Sequence, residues 1–162
     1  MDNPNFQIIL RPTIVTDLEI HYRFQLDEEA NHLAAFTSSN SSDKEAYLEK
    51  YGKFLTEPTI NNQTILIDGV IVGSIAKFLI GEDAEITYWI DRKFWGRGIA
   101  TRAMKEFLSL ETIRPIYARV AFDNIGSQKV LKSCGFVKIG TDRGFANARK
   151  TEIEEFIYRL DD

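Results

Sequence analysis

The sequence predicts an α/β protein: a twisted mixed sheet flanked by helices, in the order β-α-α-β-β-β-α-β-α-β-β. Two observations carry this. In the first half, β-rich stretches at Gln63–Asp68 and Val70–Ile80 flank Asp68-Gly69, a strong hairpin signal, so the strands there run antiparallel. In the second half, stretches with helical apolar spacing separate the strands, and a helix between two strands allows parallel pairing. Antiparallel hairpins followed by helix crossovers give a mixed sheet with helices on its faces.

The elements follow in order. Phe6–Arg11 reads as the first strand, closed by Pro12 and Thr13. A helix capped by Thr16 or Asp17 runs to about Phe24. Residues 27–43 are polar and read as irregular, with 38–42 a surface loop. Asp43–Leu55 reads as a second helix that Pro58 ends. After the hairpin, Glu82-Asp83 makes a turn and Glu85–Ile90 a further strand. Gly98–Thr112 carries an apolar stripe at Ile99, Ala100, Ala103, Met104, Phe107 and Leu108. Ile116–Val120 is a strand, and Asn124–Cys134 a helix with Gly135 suited to follow its C-terminus. Phe136–Gly140 and Ile153–Leu160 read as strands joined by a basic loop containing Arg143, Arg149 and Lys150.

The 162 residues fit one domain, taken here as 1–162, of ordinary apolar (44%) and charged (27%) content. A net charge of −4 argues against a general nucleic-acid binder. No apolar run approaches the roughly 20 residues that span a bilayer. The start Met-Asp-Asn-Pro-Asn lacks the features of a secretion signal, so cytoplasmic residence is expected. A single Cys134 excludes an intrachain disulfide. His21 and His32 are isolated and no metal site is expected.

The most informative segment is Trp95-Gly96-Arg97-Gly98-Ile99-Ala100-Thr101, which joins a strand to a helix opening near Gly98. Small residues at 96, 98 and 100 let a ligand approach the backbone. The first turn of a helix presents unpaired N–H groups and a positive dipole end. The segment is therefore an anion cradle, with Arg97 and Arg102 as nearby counter-charges, and a pyrophosphate is the best candidate anion. A dinucleotide site fits less well. Asp91–Trp95 separates strand from glycines, and three antiparallel strands come before the unit.

Three ordered segments now matter: Tyr88-Trp89-Ile90-Asp91, then Phe94 through Thr101, then Asn124-Ile125-Gly126-Ser127 through Val130–Phe136. Together they resemble the GNAT superfamily of N-acetyltransferases, in particular the branch of RimJ/RimL-type ribosomal-protein N-terminal acetyltransferases. The resemblance is densest over residues 82–140. Trp95 departs from the family's Arg/Gln-x-x-Gly-x-Gly/Ala loop at its first position, where it is expected to serve as a core or hinge aromatic.

The resemblance implies a GNAT-like sheet, acetyl-CoA as co-substrate and an amine acceptor. The pantetheine arm would lie along Tyr88, Trp89 and Ile90 at the end of the fourth strand, using backbone groups left free where two strands splay. The reaction needs a proton removed from an alkylamine that is mostly protonated near neutral pH. Glu85, on the strand face with Thr87 and Trp89, is the first candidate for that base. Ser127 aligns with a serine used near the thioester sulfur, with Tyr88 or Tyr117 as a fallback donor. Asn124 would orient pantetheine or N-cap its helix. Lys129 and Lys132 would meet nucleotide phosphates. Cys134, at a helix C-terminus, is poorly placed to be a thiolate, so direct attack is preferred to a covalent route. Asp27, Glu28 and Glu29 would wall the acceptor groove or form an exposed acidic turn. A non-catalytic CoA-binding sensor of the same fold is the alternative, and the chain is expected to be a monomer or homodimer.

Overall fold

The computed structural model describes residues 6–162. The N-terminal stretch read above for a secretion signal lies outside them. Seven strands form one sheet in the order β1-β2-β3-β4-β5-β7-β6. The strands are β1 (Ile8–Pro12), β2 (Asn61–Ile67), β3 (Val70–Ile80), β4 (Asp83–Ile90), β5 (Ile116–Ala121), β6 (Val137–Ala146) and β7 (Thr151–Leu160). The helices are α1 (Leu18–Phe24), α2 (Glu28–Ala34), α3 (Lys44–Phe54), α4 (Ile99–Leu110) and α5 (Ile125–Ser133). Among these helices none is long and apolar enough to cross a membrane.

All strand pairs are antiparallel except β4 and β5, and that exception organises the molecule. β4 and β5 pair only at Ala84↔Ile116 and Glu85↔Tyr117. Beyond this point they part. β4 stays with β3 to its end, where Gly73 faces Ile90. A Cβ on Gly73 would sit 2.2 Å from the Trp89 carbonyl, so only glycine permits this close approach. β5 instead follows β7 to Ala121↔Glu155. Residues 86–90 are left with one backbone edge unpaired by β5.

The core fills the face under α4 and α5. Ile65, Val72, Ile75, Ile86 and Ile116 from the sheet pack with Ile99, Met104 and Phe107 of α4 and Leu131 of α5. The stripe predicted for α4 is the one buried. A smaller cluster, Ala35, Ala121, Ala146 and Ile153, lies under Phe36.

Two expectations are corrected. Residues 27–43 are not irregular throughout: Glu28–Ala34 forms α2, with Asp27 accepting from the Ala30 N–H. Two turns are too short to show a helical period, although the Asp27 cap and the acidic first turn were visible signals. The basic loop between the last strands is mostly strand. β6 reaches Ala146 and pairs it with Thr151, leaving a four-residue turn, 147–150. Charged residues on a solvent-facing edge strand look like loop in a sequence and are normal in a sheet.

Asp17 ties the N-terminal segment to the sheet. It is 3% exposed. It accepts two bonds from Arg11, at 2.6 and 2.8 Å, and others from the Ile14 N–H and Thr64. Burial alone would raise its pKa; these donors together hold it at about 2. The neighbouring His21 is pushed down to about 4, chiefly by burial. Both pKa values lie below the unfolded ones, so both groups stabilise the fold above the unfolded values and lose that contribution as pH falls. His21 acts from about pH 6.5 down to 4 and Asp17 from about 4 down to 2. Asp17→Asn should remove on the order of 2 kcal/mol at pH 7 and flatten the lower window. Urea unfolding at pH 7 and pH 3 measures this; equal losses at the two pH values would count against the assignment.

Candidate active site

The glycine loop forms where β4 ends. Asp91 accepts from the Lys93 N–H and starts a short 3-10 turn, Arg92–Phe94. Trp95 follows and donates its indole N–H to the Ile90 carbonyl at 2.9 Å. It also lines the adjoining cleft, so it is both hinge and wall. Gly96 and Gly98 both have φ near +75°, the left-handed region, and Gly98 is the residue from which α4 starts. An added Cβ at either position would enter open space. Backbone conformation, rather than crowding by protein neighbours, demands glycine here. The first amide of α4 to find a helical acceptor is that of Arg102, bonding Gly98 at 3.1 Å. Among the described residues, the amides of 96–101 have no protein acceptor, the condition an anion cradle requires.

A cleft of about 740 Å³ opens over this loop. Gly96, Gly98, Ile99, Ala100 and Thr101 line it, together with Tyr88, Trp89 and Ile90 of β4, Asn124 just before α5, and Ser127 and Lys129 of α5. The structure thus brings together most residues expected at the coenzyme site. Arg97, Arg102 and Lys132 are not in the lining. The Arg97 guanidinium lies over the Phe94 ring at 5.4 Å, and that of Arg102 over Phe6 at 4.3 Å. Lys132 is exposed in the last turn of α5. Ala30, Leu33 and Ala34 of α2 close the cleft, a wall hidden from sequence because α2 was.

A second cavity, about 680 Å³, lies on the sheet face covered by α1 and α3. Its floor includes Phe78, Glu85, Thr87 and Trp89, and Tyr47 and Tyr51 of α3 line it as well. Ala34, Tyr88, Trp89, Asn124 and Ser127 belong to both cavities. The two spaces therefore meet at the gap between β4 and β5.

At this meeting point Tyr88 donates to Ser127 Oγ at 3.2 Å. Burial pushes the Tyr88 phenol up, so it remains a neutral donor. Ser127, whose oxygen is engaged, keeps its own hydrogen for a further acceptor. Asn124 caps α5, accepting from the Ser127 N–H at 3.3 Å, while its amide donates to the Leu33 carbonyl at 3.3 Å. It fixes α5 to α2 across the cleft and positions Ser127.

Glu85 sits deep in the second cavity, half-buried. Burial raises its pKa; Arg119 opposes this, and Glu155 and Asp83 add to it. Arg119 is the residue that sequence reading missed. It is 3.7 Å from Glu85, but closer to Glu155 at 2.7 Å and Asp142 at 3.0 Å. Strand alternation on β5 and β7 puts these groups on one face, yet only the sheet order makes them neighbours.

Other candidates have partners within the protein. Asp27 and Glu29 both pair with Arg92, each at 2.7 Å. Arg149 holds Asp123 through two bonds, at 2.8 and 2.9 Å. Burial raises the pKa of Cys134, whose Sγ lies 3.7 Å from the Thr101 carbonyl, so it is no ready nucleophile. Among the described residues no cluster of three or more His, Cys, Asp or Glu could hold a metal ion.

Residues 7–137 match the acetyltransferase (GNAT) domain family. The chain is 25% identical over 165 residues to an uncharacterized N-acetyltransferase, p20, of Bacillus licheniformis, covering 95% of this chain and 92% of that protein. Its fold is similar to that of the microcin C7 self-immunity acetyltransferase MccE, solved with acetyl-CoA and AMP (TM-score 0.78, 19% identity, 96% of this chain and 93% of the other). It is also similar to RimL, a ribosomal L7/L12 alpha-N-protein acetyltransferase solved with coenzyme A (TM-score 0.77, 16% identity, 95% and 93%). An amide-lined loop, a strand edge left open beside it and a family match over most of the chain converge. The chain belongs to the GNAT family and is an acetyl-CoA-dependent N-acetyltransferase.

Proposed function

We propose that this protein transfers the acetyl group of acetyl-CoA to a primary amine, of a small molecule or a protein N-terminus, by direct attack. The observation that carries this reading is the junction of the two cavities at Tyr88 and Ser127. A thioester reaching from the glycine loop and an amine entering under α3 would meet there.

Each side chain has a task. The amides around residues 96–101 hold the diphosphate, and the free edge of β4 pairs with the amide-bearing arm. Glu85 takes the proton from the ammonium, directly or through water, before attack. Ser127 donates to the sulfur as the carbon–sulfur bond breaks, and the bond from Tyr88 strengthens that donation. Tyr88 itself stays protonated, because a buried phenolate is costly.

Calorimetry with acetyl-CoA, paired with thiol release over a panel of amines, tests the reading. Tight binding with no release beyond hydrolysis would favour the sensor. Ser127→Ala should lower kcat by about 10–100-fold and leave the acetyl-CoA Kd within about twofold. Equal turnover in the two proteins would return Ser127 to a purely helical role.

A further inference from the structure

We propose that the acceptor is an amine with a single positive charge borne on an apolar, aromatic body. This rests on the acetyl-transfer reading above and concerns the second cavity.

The Glu85 end of that cavity carries a net negative charge. Arg119 faces Glu85, Glu155 and Asp142, and Asp83 adds to the field on Glu85. Of these, Glu85 and Glu155 line the cavity with Arg119, two carboxylates against one guanidinium. Glu85 and Glu155 side chains are each only 14% exposed, so water screens them weakly. An ammonium placed between them and the Tyr88–Ser127 pair relieves this imbalance.

The walls are of a different kind. Tyr47 and Tyr51 pack with ring centroids 4.4 Å apart and planes tilted by 33°, and burial raises both phenol pKa values, so these two rings are neutral. Phe24, Phe36, Phe78 and Trp89 continue it. Such a surface suits a flat apolar group and the flank of a cation. Side chains such as Thr37, Asn40, Ser74 and Thr87 share the lining, so the aromatic rings, not an absence of polar groups, are what favours a flat apolar body over an aminosugar.

The solvent side carries the opposite sign. Lys50, exposed on α3, lies 5.6 Å from the Tyr51 ring centroid and bonds Ser38 at 3.1 Å. His21 adds no positive charge near neutral pH, its pKa being about 4. A polyamine would carry its second charge out toward Lys50 and be repelled. One ammonium inside and an uncharged ring outside is the arrangement that fits both ends.

The test is kcat/KM for thiol release at saturating acetyl-CoA. The amines are 2-phenylethylamine, propylamine, spermidine, an aminoglycoside, and two hexapeptides beginning with Phe or Gly. The ring should raise kcat/KM about tenfold or more, since even one methylene in an apolar pocket is worth about that much. Preference for 2-phenylethylamine points to a small-molecule source, and preference confined to the Phe peptide points to a protein N-terminus; both support the proposal. Tyr51→Ala should raise KM for the aromatic amine about tenfold while KM for acetyl-CoA holds. Lys50→Glu, a surface change safe for folding, should shift selectivity toward spermidine about threefold. Parent turnover that favours spermidine, the aminoglycoside or propylamine, or no spermidine shift in Lys50→Glu, would overturn this inference alone. No turnover on any amine would overturn the acetyl-transfer reading and this one with it.

Discussion

Gly98→Glu should abolish acetyl-CoA binding while the protein stays folded. Two effects act together, and their sizes differ. The residue has φ near +75°, so any side chain costs about 1–2 kcal/mol of backbone strain. At this chain length that is a Tm drop of about 2–8 °C. The carboxylate adds the larger effect, projecting into open space over unpaired amides meant for phosphate. A unit charge about 4 Å from a phosphate charge costs about 4 kcal/mol at an effective dielectric near 20. That is about a thousandfold in Kd. Gly98→Ala isolates the strain: it should show the same Tm loss with less than about tenfold weakening. Calorimetry and thermal melts on both variants decide the matter. Unchanged acetyl-CoA affinity in Gly98→Glu would remove the loop from the binding site.

Glu85→Gln should slow turnover by about 100-fold, with a pH signature. The parent can use the protonated amine that dominates at neutral pH, because Glu85 accepts its proton. Burial lifts the Glu85 pKa above its ordinary value, which makes it a better acceptor, and the parent's kcat/KM should fall only as pH drops through that raised value. The variant must wait for amine that is already neutral. Its kcat/KM should climb about tenfold per pH unit toward the amine pKa, so its deficit is largest at low pH and shrinks as pH rises. Stability should change little, because Arg119 keeps its closer partners Glu155 and Asp142. A parallel pair of pH–rate profiles would contradict a base role for Glu85.

The half of the candidate site proposed for the coenzyme was legible because its features are local. Cradle geometry needs glycines at fixed positions between a strand end and a helix start, and 96–101 announce them in a row. The apolar stripe of α4 and the Asp68-Gly69 turn are local in the same sense. Asn124 could be read as a pantetheine contact or an N-cap; the fold gives it the cap, and a bond to the Leu33 carbonyl that the sequence did not suggest. The acceptor half resisted reading. Glu85, Arg119 and Glu155 lie on three strands that are neighbours only through the order β4-β5-β7. Helix α2, too short for a period, closes both cavities with Ala34.

By itself the sequence determined most of the element types, though not α2 or the length of β6, together with the family and the glycine loop, since each depends on residues close together in the chain. Tertiary structure alone decided where β4 leaves β5, which cations face the coenzyme cleft, and that Tyr88 donates to Ser127. The physical reason is range. Backbone dihedrals and caps are set within a turn or a strand, whereas the charge balance around Glu85 and the meeting of two cavities arise from groups tens of residues apart.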